Sequence, residues 1–185
     1  MSTRVTSRGA LLAGAVLAVF VTITGVAGAI PASVELADVA VIRDPACEGR
    51  VRVLLRFEMP DELTDGVVDM AVASLEFVTS QQGEELVPVE AHATTRSWDP
   101  ETVSWDAAWA SGECSWDESQ MCEGQVRFGA TPALVLDVSE LLGASARSRA
   151  VDFDVVVLPE CDAFLMPADV TVTGGTISLD YSSSE

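Results

Sequence analysis

Strict alternation of apolar and polar side chains is the feature that most limits what this chain can fold into. Between positions 50 and 57, three arginines and one leucine alternate with four apolar side chains, Val51, Val53, Leu55 and Phe57. Because successive side chains of a β-strand point to opposite faces, a period of two predicts a strand with one face in a core. The same pattern returns at 73–77, 87–94, 134–138, 151–157 and 176–181, with shorter apolar runs at 36–42 and 170–172.

The alternation predicts an all-β fold of roughly eight short strands, arranged as an antiparallel two-sheet β-sandwich that resembles a jelly roll. Turn-forming pairs such as Asp65-Gly66 and Gly174-Gly175 separate the runs. No segment after residue 30 has a long 3.6-residue period, and the best helical candidate is a single turn at 139–143, which excludes a parallel α/β sheet. The 185 residues suffice for one domain, which we place at 30–185.

Residues 1–29 are typical of a secretory signal peptide. Arg4 and Arg8 precede an apolar stretch that runs from Gly9 to Ile30 and contains the small-residue site Ala27-Gly28-Ala29. We predict cleavage at this site, secretion to the outside or the surface of the cell, and no membrane span afterwards. An uncleaved anchor is the alternative, because about 20 apolar residues suffice to cross a bilayer.

Export makes the four cysteines interpretable as two disulfides, because oxidising compartments form such bonds. The chain-entropy argument separates the three connectivities by only about 1 kcal/mol. Cys114 and Cys122 flank a polar segment that a hairpin-like loop would close, and Cys47 and Cys161 lie in predicted strand-connecting loops. The sequence therefore favours the pairs 114–122 and 47–161, with the connectivity still open.

The strongly acidic composition restricts the partners of the protein. With 29 acidic and 10 basic residues the formal net charge is −19, which repels the phosphate backbone and makes nucleic acid an unlikely partner. We expect no cofactor. A structural calcium ion is an open alternative because so many carboxylates require neutralisation, although the sequence contains no EF-hand type of loop.

The sequence argues against catalysis. The lone imidazole, His92, falls on the polar side of its predicted strand beside Glu90, where a solvated or paired histidine is expected rather than a general base. Acidic residues cluster around the tryptophans, but in so acidic a chain such clusters arise without a glycosidase role. We therefore predict that the protein is not an enzyme.

Several segments of the chain occur in an order that resembles a known family. They are Ala37–Val41, Arg52–Phe57, Ala73–Phe77, the Trp-containing segment Thr95–Trp105 and the last run Ile177–Tyr181. This order resembles the DNRLRE-type secreted domains, which are related to carbohydrate-binding modules and to TGF-β-propeptide-like jelly rolls. The chain departs from that pattern by a Cys-bounded insertion after Ala108. The resemblance implies a secreted, non-catalytic module with acidic polysaccharide among its ligands.

Five residues are candidates for ligand binding: Arg50, Arg52, Arg56, Trp109 and Trp116. Guanidinium groups bind carboxylate or sulfate bidentately, and indole rings can stack on sugars. The alternatives are internal: pairing of the arginines with acidic residues on neighbouring strands, and packing of the tryptophans within the fold. The functional hypothesis is a module that binds a polysaccharide or another cell-surface component; its rival is a structural or adhesive protein that contacts other proteins.

Overall fold

The computed structural model describes residues 29–81, 83, 86–111, 115–129, 132–160 and 165–183. The predicted signal peptide lies outside the described residues, except for Ala29. Within the described ranges, no helix is both long and apolar enough to cross a membrane.

The described residues form eight strands and two short α-helices. The strands are β1 (Ile30–Arg43), β2 (Val51–Glu58), β3 (Gly66–Val78), β4 (Leu86–Thr94), β5 (Trp116–Arg127), β6 (Ala133–Asp137), β7 (Asp152–Pro159) and β8 (Thr171–Ser183). The helices are α1 (Ala107–Ser111) and α2 (Ser139–Arg147), and a 3-10 turn covers Asp61–Asp65. Every alternating segment of the sequence overlaps a strand, so the all-β prediction is confirmed.

Two elements differ from the sequence prediction. Helix α2 spans nine residues rather than one turn, because Leu141, Leu142 and Ala146 lie at helical spacing and are all buried. Strand β5 begins at Trp116, whereas the sequence predicts a hairpin-like loop between Cys114 and Cys122. Most side chains of β5 are half-buried or exposed, so the apolar alternation that marks the other strands is weak there.

All strand pairs are antiparallel, and hydrogen bonds connect them in the order β5-β4-β7-β2-β1-β8-β3-β6. Residues 30–35 of β1 pair with β8, whereas residues 36–43 pair with β2. The 14-residue β1 thus joins two groups of strands into one eight-stranded sheet. The antiparallel all-β fold is confirmed, while a division into two separate sheets stays a prediction.

The two ends of the sheet approach each other. Strand β5 contacts β6, and a Cβ atom added to Gly124 of β5 would lie 2.5 Å from Cδ2 of Leu136 and 3.0 Å from Cδ1 of Leu134. Only glycine permits this close approach of the two strands. The sheet therefore curls until it is nearly a barrel.

One apolar cluster fills the inside of the curled sheet and includes residues from every strand and from α2. It contains the four predicted core residues of β2, Val51, Val53, Leu55 and Phe57. Phe57 lies opposite Phe153 of β7, with the ring centroids 6.3 Å apart. Because side chains alternate along β2, Arg52 and Arg56 project to the outer side of the sheet.

The predicted disulfides are not confirmed. Cys47 and Cys122 are free and half-buried, and burial raises the pKa of the Cys122 thiol to about 11. Their predicted partners, Cys161 and Cys114, lie outside the described residues. Among the described residues, no two cysteines are bonded to each other.

Candidate functional site

A second, smaller apolar cluster lies on the outer side of the sheet. We call residues 95–111 the Trp strap. Beneath this segment, Leu54 of β2 and Val156 of β7 lie directly opposite each other and form an apolar platform. From the strap, Trp98 and Trp109 pack onto this platform and are only 7% and 1% exposed. The chain therefore covers this outer side with its own aromatic side chains.

Arg56 joins the strap to the sheet. The strand register places it between Asp38 of β1 and Asp154 of β7. Its Nε donates to Asp154 Oδ1 at 2.8 Å and its Nη2 to Asp154 Oδ2 at 3.2 Å, while Nη1 donates to Asp38 Oδ2 at 3.3 Å. Nη2 also donates to the Trp98 carbonyl at 3.0 Å, and the guanidinium lies 4.6 Å from the centroid of the Trp98 ring.

The electrostatics of this cluster follow from its partial burial. The hydrogen bond that Arg56 donates to Asp154 holds the pKa of Arg56 above its ordinary value. Burial raises the pKa of Asp154, and the bonds from Arg56 offset this effect only in part. The bonds from Arg56 therefore favour the charged form of the half-buried Asp154 carboxylate.

Arg52 and Arg50 occupy different surroundings. Arg52 is 7% exposed, and its guanidinium lies 5.2 Å from the centroid of the Trp105 ring and 6.0 Å from that of Trp116. Arg50 lies at the end of the loop that connects β1 to β2, and its Nη1 donates to Oδ2 of Asp44, at the start of the same loop, at 3.1 Å. Each of the three predicted arginines thus makes contacts within the fold.

Trp116 continues the aromatic layer onto β5. It stacks on Trp109 with the ring centroids 6.5 Å apart, and the His92 ring also lies close, at 6.1 Å. The buried His92 has Nε2 3.1 Å from Glu90 Oε2 and Nδ1 3.3 Å from the Asp117 carbonyl. Both ring nitrogens face oxygen atoms of the protein, which matches the prediction of a paired histidine.

Arg96 and Asp106 join the two ends of the strap. Nη1 of Arg96 lies 3.2 Å from Asp106 Oδ1 and Nη2 lies 3.0 Å from Oδ2, a bidentate pair. Asp106 Oδ1 also accepts the Trp109 backbone N–H at 3.0 Å, which caps α1. The bond from Arg96 is the main reason that the pKa of Asp106 is lowered.

A cavity of about 350 Å³ opens on the outer surface of the strap. Its wall combines one guanidinium, two carboxylates and three hydroxyl groups with two tryptophans that are largely buried. These come from Arg96, Ser97, Trp98, Asp99, Thr102, Ser104, Asp106 and Trp109, with Val103 as a further apolar group. Its size falls within the range of roughly 300–1,000 Å³ that small-molecule sites occupy.

Two larger cavities are weaker candidates. One of about 630 Å³ lies between α2 and β5, and its described lining contains no aromatic side chain. The other, of about 430 Å³, is lined by Phe128, Leu165 and Met166, and Glu48 is the one charged residue in its described lining. The strap cavity is therefore the best-defined candidate site.

The structure places the predicted site residues beneath or beside this cavity. Of the five, only Trp109 lines it, and Trp109 is almost fully buried. Arg52, Arg56 and Trp116 belong to the layer that supports the strap, and Arg50 lies in a connecting loop. The sequence analysis missed Arg96, although it lies next to Ser97 and Trp98 in the Trp-rich segment that carries the family resemblance.

The described ranges contain no cluster of side chains that could form a metal centre. Within them, no three His, Cys, Asp or Glu side chains are grouped so as to hold a metal ion. Asp99 and Asp117 accept hydrogen bonds from residues of their own turns, Glu101 N at 2.8 Å and Ser119 N at 2.9 Å. The calcium alternative therefore gains no support from these residues.

Comparisons with known proteins give no match: no protein-family model matches the chain, and no curated protein is significantly similar to it in sequence.

Proposed function

We propose that the protein is an exported, non-catalytic domain of the β-sandwich type, and that it binds polysaccharide outside the cell or at its surface. The observation that supports this proposal is the strap cavity, where hydroxyls, carboxylates and a guanidinium line one open space backed by two largely buried tryptophans. Sugars present many hydroxyl groups on an apolar ring, and a wall of this mixed chemistry complements them.

The residues around the cavity have two roles. Arg52, Arg56 and Trp109 hold the wall of the cavity in place: Arg52 and Trp109 are buried, and Arg56 is half-buried against Trp98. The exposed side chains of Asp99, Thr102 and Ser104 contact the ligand. The scaffold is rigid and the ligand contacts lie on a loop, as is common for binding sites.

A binding experiment with the exported protein, recovered after expression of the full chain, tests this proposal. The protein is applied to a glycan array and to affinity electrophoresis in gels that contain soluble polysaccharides. The variant Thr102→Phe adds a ring at the exposed rim of the cavity, and Thr173→Phe adds the same ring on β8, remote from the strap. We expect retention by at least one polysaccharide, lost in Thr102→Phe and kept in Thr173→Phe. Equal retention of the two variants would contradict the assignment of the site.

A second candidate is the structural or adhesive role, and one observation favours it. The outer side of β3, β6 and β8 exposes Val78 and Val135 at 54% and 58%, among short serine and threonine side chains. This surface is suited to contact with another protein. Cross-linking on cells tests the adhesive role when the natural protein is compared with Val135→Glu. A cross-linked partner that is lost in the variant would favour this role over sugar binding.

A further inference from the structure

The charges in the strap cavity define the class of saccharide that it accepts. Among the described residues that line the cavity, Arg96 is the only cation, and Asp99 and Asp106 are the anions. Arg96 is held bidentately by Asp106 at 3.0 and 3.2 Å, and its guanidinium lies 5.7 Å from the centroid of the Trp109 ring. An acidic ligand would have to share this cation with Asp106, which already neutralises its charge.

The arginines below the strap do not add a cation to the cavity wall. Arg56 is committed to Asp154 and Asp38 and lies against Trp98. Arg52 is 7% exposed beneath Trp105 and does not line the cavity. A uronic or sulfated ligand therefore meets the negative field of a chain with a net charge of −19, and the one cation among the described wall residues, Arg96, is already paired with Asp106.

A cationic ligand also lacks a dedicated partner. Both oxygens of Asp106 are used by Arg96, and one of them also caps α1. Asp99 Oδ1 accepts from Glu101 N at 2.8 Å, and its backbone carbonyl accepts from Val103 N at 2.9 Å. These carboxylates keep lone pairs for hydroxyl donors, but they are separately engaged and form no acidic cluster.

The remaining wall groups are suited to hydroxyl groups. Thr102 and Ser104 are exposed and each supplies a donor and an acceptor. The wall therefore offers hydroxyl donors and shared acceptors, and Asp99 is its one carboxylate outside an ion pair between described residues.

We infer that the cavity binds an uncharged saccharide, such as an oligosaccharide of neutral hexoses, in place of the acidic polysaccharide that the family resemblance implies. This inference rests on the proposed polysaccharide binding at the same site. The ligand is recognised by hydrogen bonds from its hydroxyls to Asp99, Thr102 and Ser104, so its binding depends little on ionic strength.

Titration of the exported protein with three length-matched sets of oligosaccharides tests the inference: neutral hexose, uronate and glucosamine oligomers, each at low and high salt. We expect measurable affinity for the neutral set alone, and this affinity does not change with salt. The affinity falls by at least about tenfold in Thr102→Phe and is unchanged in the control variant Thr173→Phe. Preferential binding of the uronate or glucosamine set, weakened by salt, would overturn the inference and leave polysaccharide binding intact. Failure of all three sets, together with no retention on the glycan array, would refute both.

Discussion

Replacement of Arg56 by methionine is the most direct test of how the strap is held on the sheet. Arg56→Met keeps much of the apolar stem but removes the bonds to Asp154, Asp38 and the Trp98 carbonyl, as well as the cation near the Trp98 ring. Loss of one partner leaves the Asp154 carboxylate half-buried without its cation.

The magnitude follows from the burial of the pair. Loss of one partner from a buried ion pair costs about 3–5 kcal/mol, whereas exposed pairs contribute about 0–1 kcal/mol. The side chains of Arg56 and Asp154 are 18% and 19% exposed, which places the pair between these limits, at about 2 kcal/mol. The cation–π contact adds about 0.5–1 kcal/mol. We expect a total loss of about 3 kcal/mol in the free energy of unfolding, or about 6–12 °C in Tm.

Urea unfolding monitored by tryptophan fluorescence measures this loss, because the strap tryptophans report on the same region. Arg127→Met is the matched control: Arg127 is exposed on β5 and makes no ion pair with another described residue. We expect the control to stay within about 0.5 kcal/mol of the natural sequence. Equal losses in the two arginine variants would refute the role assigned to Arg56.

The pH dependence of the Arg56→Met variant gives an independent check. Burial already raises the pKa of Asp154 in the folded state, and removal of the neighbouring cation raises it further. A carboxyl whose folded pKa lies above its unfolded value destabilises the fold when it is ionised, and this penalty disappears as the pH falls through the folded pKa. The deficit of the variant is therefore expected to be largest at neutral pH and to shrink in mild acid; a deficit that is constant with pH would contradict this account.

Three further predictions concern other parts of the fold. Hydrogen bonds from the turn after β3 lower the pKa of Asp169 to about 2 from 3.8. The ionised Asp169 therefore stabilises the fold fully above pH 3.8, and this stabilisation is lost as the pH falls towards 2. In urea titrations, Asp169→Asn is expected to be less stable than the natural protein at pH 7 and equally stable near pH 2. Gly124→Ala must displace two buried leucines of β6, so we expect a loss of about 1–3 kcal/mol by thermal unfolding. A pKa of about 11 instead of 9.0 makes the Cys122 thiolate about 100-fold scarcer near pH 8, so mass spectrometry is expected to show alkylation that is slower by about that factor in the folded protein than in urea.

Each of these predictions has a matched comparison. Gly129→Ala, where a Cβ atom would meet nothing within 4 Å, is expected to be neutral or slightly stabilising, and a similar loss in both glycine variants would contradict the close approach of β5 and β6. A difference between the natural protein and Asp169→Asn that persists at pH 2 would refute the titration argument. If Cys122 reacts in urea only after reduction, it is bonded in the exported protein and is not the free thiol that the structure shows.

The sequence alone determined the strands and the direction in which their side chains point. Because each residue of a strand faces opposite to the last, the run from 50 to 57 was sufficient to assign Phe57 to the core and Arg56 to the outer side. This rule is local and needs no knowledge of the partner strands. It failed for β5, where most side chains are only partly buried and the local pattern is weak.

Only the tertiary structure decided what lies against those outward side chains. Arg56 meets Asp154 and Trp98, which are 98 and 42 residues away in the chain, and strand order and register bring them together. The tertiary structure also decided the pairing of the 14-residue β1, which joins two groups of strands because it pairs first with β8 and then with β2. Contacts between distant residues depend on the path of the whole chain, so periodicity can place a guanidinium on a face but cannot tell whether a ligand or the protein itself will occupy it.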